Sequence, residues 1–136
     1  MTAEFRKAGK TVVGLETPEQ QLGFFDALPE GAQRAFLEAT LQSQEETRKD
    51  FRELLAAWSR GDAAAIERSF ADDPEFTPAL REQLIRRRDA AWADALAQRL
   101  KQPGRVFVAV GAGHLVGPDS VQRMLAARKL RVERVQ

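Results

Sequence analysis

The chain's single histidine, His114, stands between glycines at the end of an apolar run, in the segment VFVAVGAGHLVG of residues 106–117. Imidazole is the side chain best suited to proton transfer near neutral pH, and it is also a common metal ligand. In open α/β sheets, ligands collect beyond the carboxyl ends of the strands. Gly111 and Gly113 would give such a ligand room and would permit positive φ. His114 is therefore a candidate catalytic and metal-binding residue, and the two glycines are candidate binding residues. The plain alternative is a turn histidine bonded to local backbone.

Glu16 is the second candidate, because it ends a short predicted strand, VVGLE, just before a helix start. If the two apolar strands run parallel, Glu16 and His114 emerge at the same edge of the sheet. A carboxylate and an imidazole placed together there could bind one metal ion or act as a base and its partner. Glu16 is therefore a candidate metal ligand and catalytic residue. The alternative is a surface glutamate that favours the helix N-terminus.

Arg88, in the segment LIRRRDAAW, is the third candidate. It lies four residues after Leu84 and four before Trp92, which places it on the apolar side of a predicted helix. An inward arginine calls for a carboxylate or a phosphate-like ligand. Asp89 beside it would be a partner for another segment. The alternative for Arg88 is an arginine that packs its stem and reaches water.

The elements that must position these residues alternate between helices and a few short strands. Strands are predicted for TVVGLE, RVFVAV and LRVERV, and RVFVAV is apolar on both faces, as in a central strand. A stripe on the second helix, including Trp58, is predicted to be buried. Helices are predicted from the capping box at Thr17 to near Pro29, over 31–59, after Asp62, over 78–102, and over 118–128. The expected architecture is a single domain over residues 1–136, of the α/β class, mostly helical, with a small sheet of two to three strands. Such a sheet is short of strands, so either helices cover it or strands come from elsewhere.

Composition excludes several classes of function. The 21 basic and 20 acidic residues leave a net charge of +1, which creates no global field for nucleic acid. Without cysteine there are no disulfides or thiolate metal sites.

No apolar stretch approaches the roughly 18 residues of a membrane span. The N-terminus lacks a signal peptide, so the expected location is cytoplasmic as written, but periplasmic or membrane-anchored if the chain is a fragment of an exported precursor. The glycines fall as G-x-G-x-x-x-G, which disfavours dinucleotide binding.

Three segments together resemble the C-terminal half of the TraB/GumN family, which is related to the Tiki proteins. They are VVGLETPEQQLGFFDALP, RRRDAAWADALAQRL and FVAVGAGHLVGPDSVQRMLAARKLRVERV. The resemblance implies a two-part α/β fold in proteins of about twice this length. It also implies a metal-dependent protease using manganese or cobalt, with a peptide substrate. That family's site uses two G-x-x-H motifs and a glutamate. One motif corresponds here to Gly111–His114, the glutamate to Glu16, and Arg88 to the arginine of an R-N or R-D pair.

The sequence departs from that pattern because it holds no second histidine, so the first G-x-x-H motif is missing. The resemblance therefore implies a hydrolase domain with an incomplete site, inactive as an isolated chain and binding a divalent metal only weakly. The missing N-terminal half, or a second copy in a homodimer, would have to complete it. Two alternatives stay open. One is a non-catalytic interaction module that keeps the fold and self-associates. The other is a binder of an anion or small molecule at the glycine turn.

Overall fold

The computed structural model describes residues 2–39, 41, 44–73 and 76–135. Ten helical elements follow one another along these residues. They are α1 (Thr2–Lys7), α2 (Pro18–Asp26), α3 (Glu30–Ala39), α4 (Gln44–Ser59), α5 (Ala63–Ala71), α6 (Pro78–Arg81), a π-helical turn (Glu82–Arg86), α7 (Arg87–Arg99), a 3-10 helix (Ala112–Leu115) and α8 (Val121–Ala127).

No strand forms anywhere in the described part of the chain, so the predicted sheet of two to three strands, and the α/β class with it, is wrong. The three expected strands fall on segments that contain no helix, over residues 11–14, 105–110 and 130–135. These segments do not pair with one another. A strand is held by main-chain hydrogen bonds to a neighbouring strand, and without that neighbour even a strongly apolar run stays irregular. The described fold is therefore helical.

Helix starts follow the local sequence closely. The Thr17 hydroxyl accepts from the Gln20 amide, and the Gln20 side chain accepts from the Thr17 amide, which confirms the capping box. Asp62 caps α5 through the amide of Ala65. The helix predicted over 31–59 is two helices, α3 and α4, and residues 40, 42 and 43 between them lie outside the described residues. The last helix begins at Val121, not at Pro118.

The buried core lies mainly where α7 packs against α8 and where α4 packs against α5. Trp92 is buried near the middle of α7, on the apolar side that its spacing from Leu84 and Arg88 predicted. The prediction that Trp58 is buried is wrong, since 62% of it is exposed. Helix α4 instead buries Ala57, because α5 covers only one side of α4.

Among the described residues, none of the helices combines the length and apolar character needed to cross a bilayer.

The π-helical turn Glu82–Arg86 immediately precedes the site-bearing start of α7. A π turn adds a residue to one turn of a helix, so it rotates the residues that follow relative to those before it. It joins α6, whose Leu80 is buried, to α7, whose Asp89 and Trp92 are buried. The π turn therefore helps to set which side of α7 faces inward.

Candidate functional site

All three candidate residues, Glu16, Arg88 and His114, line one cleft of about 640 Å³. One wall is residues 13–16, the second is the inner side of α7, and the third is residues 106–111. The residues come from positions up to 98 apart in the sequence, so only the tertiary fold brings them together. Their lining of one cleft does not test their roles, which stay predictions.

Arg88 and Glu16 form a two-pronged ion pair across this cleft. Arg88 Nε donates to Glu16 Oε1 and Nη2 donates to Oε2, each at 2.8 Å. The side chains are largely buried, with 18% of Arg88 and 6% of Glu16 exposed. Arg88 Nη1 also donates to the backbone oxygen of Leu84 at 3.2 Å. A planar guanidinium matches a carboxylate in this paired geometry. The pair therefore ties residues 13–16 to α7.

The Glu16 carboxyl has its pKa lowered from its ordinary value of 4.5. Burial alone would raise this pKa, but the hydrogen bonds and positive charge of Arg88 outweigh that cost. The Trp92 indole N–H also lowers the pKa of Glu16, although this N–H lies outside normal hydrogen-bonding geometry. Both Glu16 oxygens accept from Arg88, so a metal ion bound by Glu16 would compete with this ion pair.

His114 is held by Asp89 and not by Glu16, the partner expected for it. His114 Nδ1 lies 2.6 Å from Asp89 Oδ1. Asp89 is completely buried, and 12% of the His114 side chain is exposed. An ionised carboxylate can only accept, so Nδ1 then carries the proton and Nε2 keeps its lone pair. No other hydrogen bond to the ring occurs within the described residues, which leaves Nε2 as the nitrogen available to a ligand or a proton.

Asp89 is the site residue whose partner the sequence did not identify. Its position beside Arg88 indicated a partner in another segment, but nothing in the spacing named His114, which is 25 residues away. Burial raises the pKa of Asp89, while the hydrogen bond and charge of His114 lower it less strongly. Its second oxygen, Oδ2, is buried without a hydrogen bond in the described structure. Burying a charged carboxylate with one oxygen unpaired costs free energy. Among the described residues, only His114 contacts the other oxygen, Oδ1.

Trp92 packs between the two pairs and separates them. Its ring centroid lies 4.5 Å from that of His114, and the Arg88 guanidinium carbon lies 5.0 Å from the indole centroid. An aromatic face attracts a cation placed over it. The indole thus supports Arg88 and borders His114, so the site consists of two hydrogen-bonded residue pairs arranged around one buried ring.

The two glycines of the turn do different things. Gly111 lines the cleft, and Gly113 lies against Phe70, where an added Cβ would come within 2.9 Å of the ring. Neither has positive φ, so the part of the expectation that rested on backbone conformation is wrong. The room that Gly113 leaves is filled by a side chain of α5 and not by a ligand.

The side chains present do not fit a complete metal centre. Nowhere in the described ranges do three or more histidine, cysteine, aspartate or glutamate side chains gather closely enough to hold an ion. His114 Nε2 could supply one ligand. Glu16 would first have to leave Arg88, and Asp89 is already committed to His114. One imidazole is too few ligands for a tight site.

Comparisons with known proteins agree with the resemblance at the level of family. A model of the TraB/PrgY/gumN family matches residues 1–134. The uncharacterized protein YbaP of Escherichia coli (strain K12) is 31% identical over 116 residues, which is 85% of this chain and 42% of YbaP. YbaP of Shigella flexneri matches with the same figures. The chain thus spans less than half the length of these curated relatives. No solved structure matches.

Proposed function

The chain belongs to the TraB/PrgY/gumN family, and on that premise we propose that it carries part of a hydrolytic site of the peptidase type, in which His114 transfers the proton. The observation that carries the proposal is the 2.6 Å contact between His114 Nδ1 and the buried Asp89 carboxylate at the wall of a cleft. A histidine oriented by a buried carboxylate, with its other nitrogen open, is the common form of a general base.

The step begins with neutral His114, whose Nδ1–H is donated to Asp89. Nε2 takes a proton from a water molecule as the water oxygen bonds to a peptide carbonyl carbon, and the C=O π electrons move onto the carbonyl oxygen to give a tetrahedral oxyanion. The imidazolium that forms lies beside the Asp89 carboxylate, whose charge stabilises it. When the C=O bond re-forms from the oxyanion and the carbon–nitrogen bond breaks, the leaving nitrogen receives the same proton from Nε2. The histidine thereby returns to its starting form.

Arg88 and Glu16 have a supporting part in this proposal. Their charges cancel, and the guanidinium makes three hydrogen bonds within the protein. They therefore position the cleft wall and do not contact the reacting atoms. The resemblance implies manganese or cobalt as well. Since the described side chains do not assemble such a centre, no step is assigned to a metal here.

Hydrolysis of p-nitrophenyl acetate tests the proposal, with His114→Gln as the comparison. This chain has no other histidine, so the variant removes every imidazole from the reaction. We expect the wild-type chain to exceed the variant by about tenfold, below the 10²–10⁴ typical of a positioned general base, because this small ester lacks the peptide chain that the cleft would orient. The matched control, Asp94→Asn, changes an exposed acid on α7, the helix that carries Asp89, and should keep the wild-type rate. Equal rates for the wild-type chain and His114→Gln, both helical by circular dichroism, would refute the proposal.

A non-catalytic interaction module is the second candidate, and one observation favours it. Val106, Phe107 and Val108 are consecutive apolar residues that are exposed by 47%, 62% and 37%. Continuous apolar surface of this kind marks binding surfaces. If the chain only binds a partner, His114→Gln should leave partner binding unchanged, and no histidine-dependent ester hydrolysis should be found.

A further inference from the structure

Helix α4 carries three large apolar side chains that stay exposed in the described structure. Phe51, Leu55 and Trp58 are exposed by 63%, 48% and 62%. They lie at i, i+4 and i+7, so they form one line along the helix, called here the α4 stripe. At 3.6 residues per turn, the centre of the stripe lies roughly 125° around the helix from Ala57, which is buried on the side that α5 covers. The α4 stripe is therefore a second apolar face, turned away from α5.

The charges around the α4 stripe favour one arrangement of two such helices. The helical spacing places Arg48 and Arg52 along one flank of the stripe. Glu53 lies on the opposite side of α4, 3.9 Å from Lys49 in an ion pair. A parallel copy of α4 would bring like arginines together. An antiparallel copy centred on Leu55 would separate the two copies of Arg48 by about 21 Å along the axis, well beyond the Debye length of ~8 Å at physiological salt.

We infer that the α4 stripe is the interface of a homodimer, in which two copies of α4 pack antiparallel about a two-fold axis at Leu55. Each Leu55 then lies against its counterpart, and each Phe51 comes within one position of Trp58 in the second copy. Arg52 lies at the level of that same Trp58, whose indole face attracts a guanidinium. A two-fold interface uses one surface twice, so the stripe needs no partner of different sequence. None of these residues lines the cleft of His114, and the inference does not depend on proton transfer.

The exposed area of the α4 stripe indicates how stable this dimer is. A phenylalanine or tryptophan side chain buries about 150–250 Å² in full, so the exposed parts of Phe51 and Trp58 offer about 100–150 Å² each. In two copies, these rings bury about 400–600 Å², to which Leu55 and the flanking side chains add. Stable specific interfaces bury about 1,200–2,000 Å² in total. The dimer therefore belongs to the weak class, with a dissociation constant on the order of 100 µM.

Sedimentation equilibrium on this chain and on two variants of Leu55 tests the inference. The wild-type chain should be a monomer at about 5 µM and mainly a dimer at about 1 mM, on either side of the expected dissociation constant. Leu55→Glu and Leu55→Lys each place like charges against one another at the two-fold axis, so each should weaken the dimer by at least about tenfold. An equimolar mixture of the two variants should restore a dimer, because the introduced carboxylate then faces the introduced ammonium.

A control variant and a fluorescence signal make the result specific. Leu22→Glu changes a leucine of α2 that is 72% exposed and should dimerise like the wild-type chain. Trp92 is buried, so a blue shift of tryptophan emission as concentration rises reports the covering of Trp58. The inference fails if the wild-type chain stays monomeric at about 1 mM, which would leave the stripe to an unlike partner. It also fails if the Leu55 variants, helical by circular dichroism, dimerise like the wild-type chain when alone or stay monomeric when mixed.

Discussion

Replacing Asp89 with asparagine should release the His114 ring from its tautomer while barely changing stability. In the wild-type chain, the Asp89 carboxylate accepts from Nδ1 at 2.6 Å inside the protein. Hydrogen bonds to charged groups contribute about 1.5–3 kcal/mol. Since about 1.4 kcal/mol is a tenfold ratio, the Nδ1–H tautomer should exceed the Nε2–H tautomer by about 10- to 150-fold.

Asparagine keeps the shape of Asp89 but can either accept from the ring or donate to it. The preference for the Nδ1–H tautomer should therefore fall to a few-fold. The effect on folding is small because two terms oppose each other. The substitution loses a strong hydrogen bond, but it also removes the cost of a buried charge, the same cost that raises the pKa of Asp89. We expect the free energy of unfolding to change by no more than about 1 kcal/mol.

Nitrogen-15 NMR measures this outcome without ambiguity, because the chain contains one histidine and so one ring. Long-range proton–nitrogen spectra distinguish a protonated ring nitrogen from one that keeps its lone pair. The wild-type ring should show Nδ1 protonated, and Asp89→Asn should show a mixture. Asp94→Asn is the matched control, since Asp94 lies on the same helix, is 70% exposed and pairs with Arg128. A wild-type ring protonated at Nε2, or an unchanged ring in Asp89→Asn, would refute the reasoning.

Three further predictions concern folding. Glu16→Gln should lower the free energy of unfolding by about 3 kcal/mol in urea denaturation, since it leaves the buried Arg88 without its anion; a loss below about 1 kcal/mol would contradict this. The folded pKa of Glu16 lies below its unfolded value of 4.5, so its stabilisation is complete above that pH and disappears as pH falls through the folded pKa. The difference in the free energy of unfolding between the wild-type chain and Glu16→Gln should therefore become smaller in acid. A difference that does not change with pH would contradict a lowered pKa for Glu16. Gly113→Ala should lower the free energy of unfolding by about 1–3 kcal/mol, because its new Cβ would collide with Phe70. Gly23→Ala, in a helix with nothing near its Cβ, should raise the free energy of unfolding by about 0.5–1 kcal/mol. Thermal melts that rank the two variants in the opposite order would count against this packing.

The local features of the fold could be predicted from the sequence because the interactions behind them span a few residues. Thr17 and Gln20 form their capping box within one helical turn, and Asp62 caps α5 through the amide three residues on. The inward position of Arg88 also followed from its spacing on one helix. The membership of the family followed from three segments in order, which the family match over residues 1–134 supports.

The exposure of the Trp58 stripe and the absence of strand pairing could not be predicted, because each depends on what lies across from a residue. The stripe that includes Trp58 has the spacing of a buried face, yet it stays exposed where none of the described helices covers it. The runs at 11–14 and 105–110 have strand composition, but no strand forms without a neighbour to bond with.

The residue types at the site were therefore a property of the sequence, and their pairing was a property of the tertiary structure. The sequence by itself determined that one imidazole, one inward arginine and a neighbouring aspartate would be present, and where the helices around them begin. It could not determine that Glu16 binds Arg88 and that Asp89 binds His114, because the choice between two carboxylates 73 positions apart is made by distance in space. A difference of a few ångströms decides which charged groups pair, since both the hydrogen bond and the charge interaction weaken steeply beyond contact.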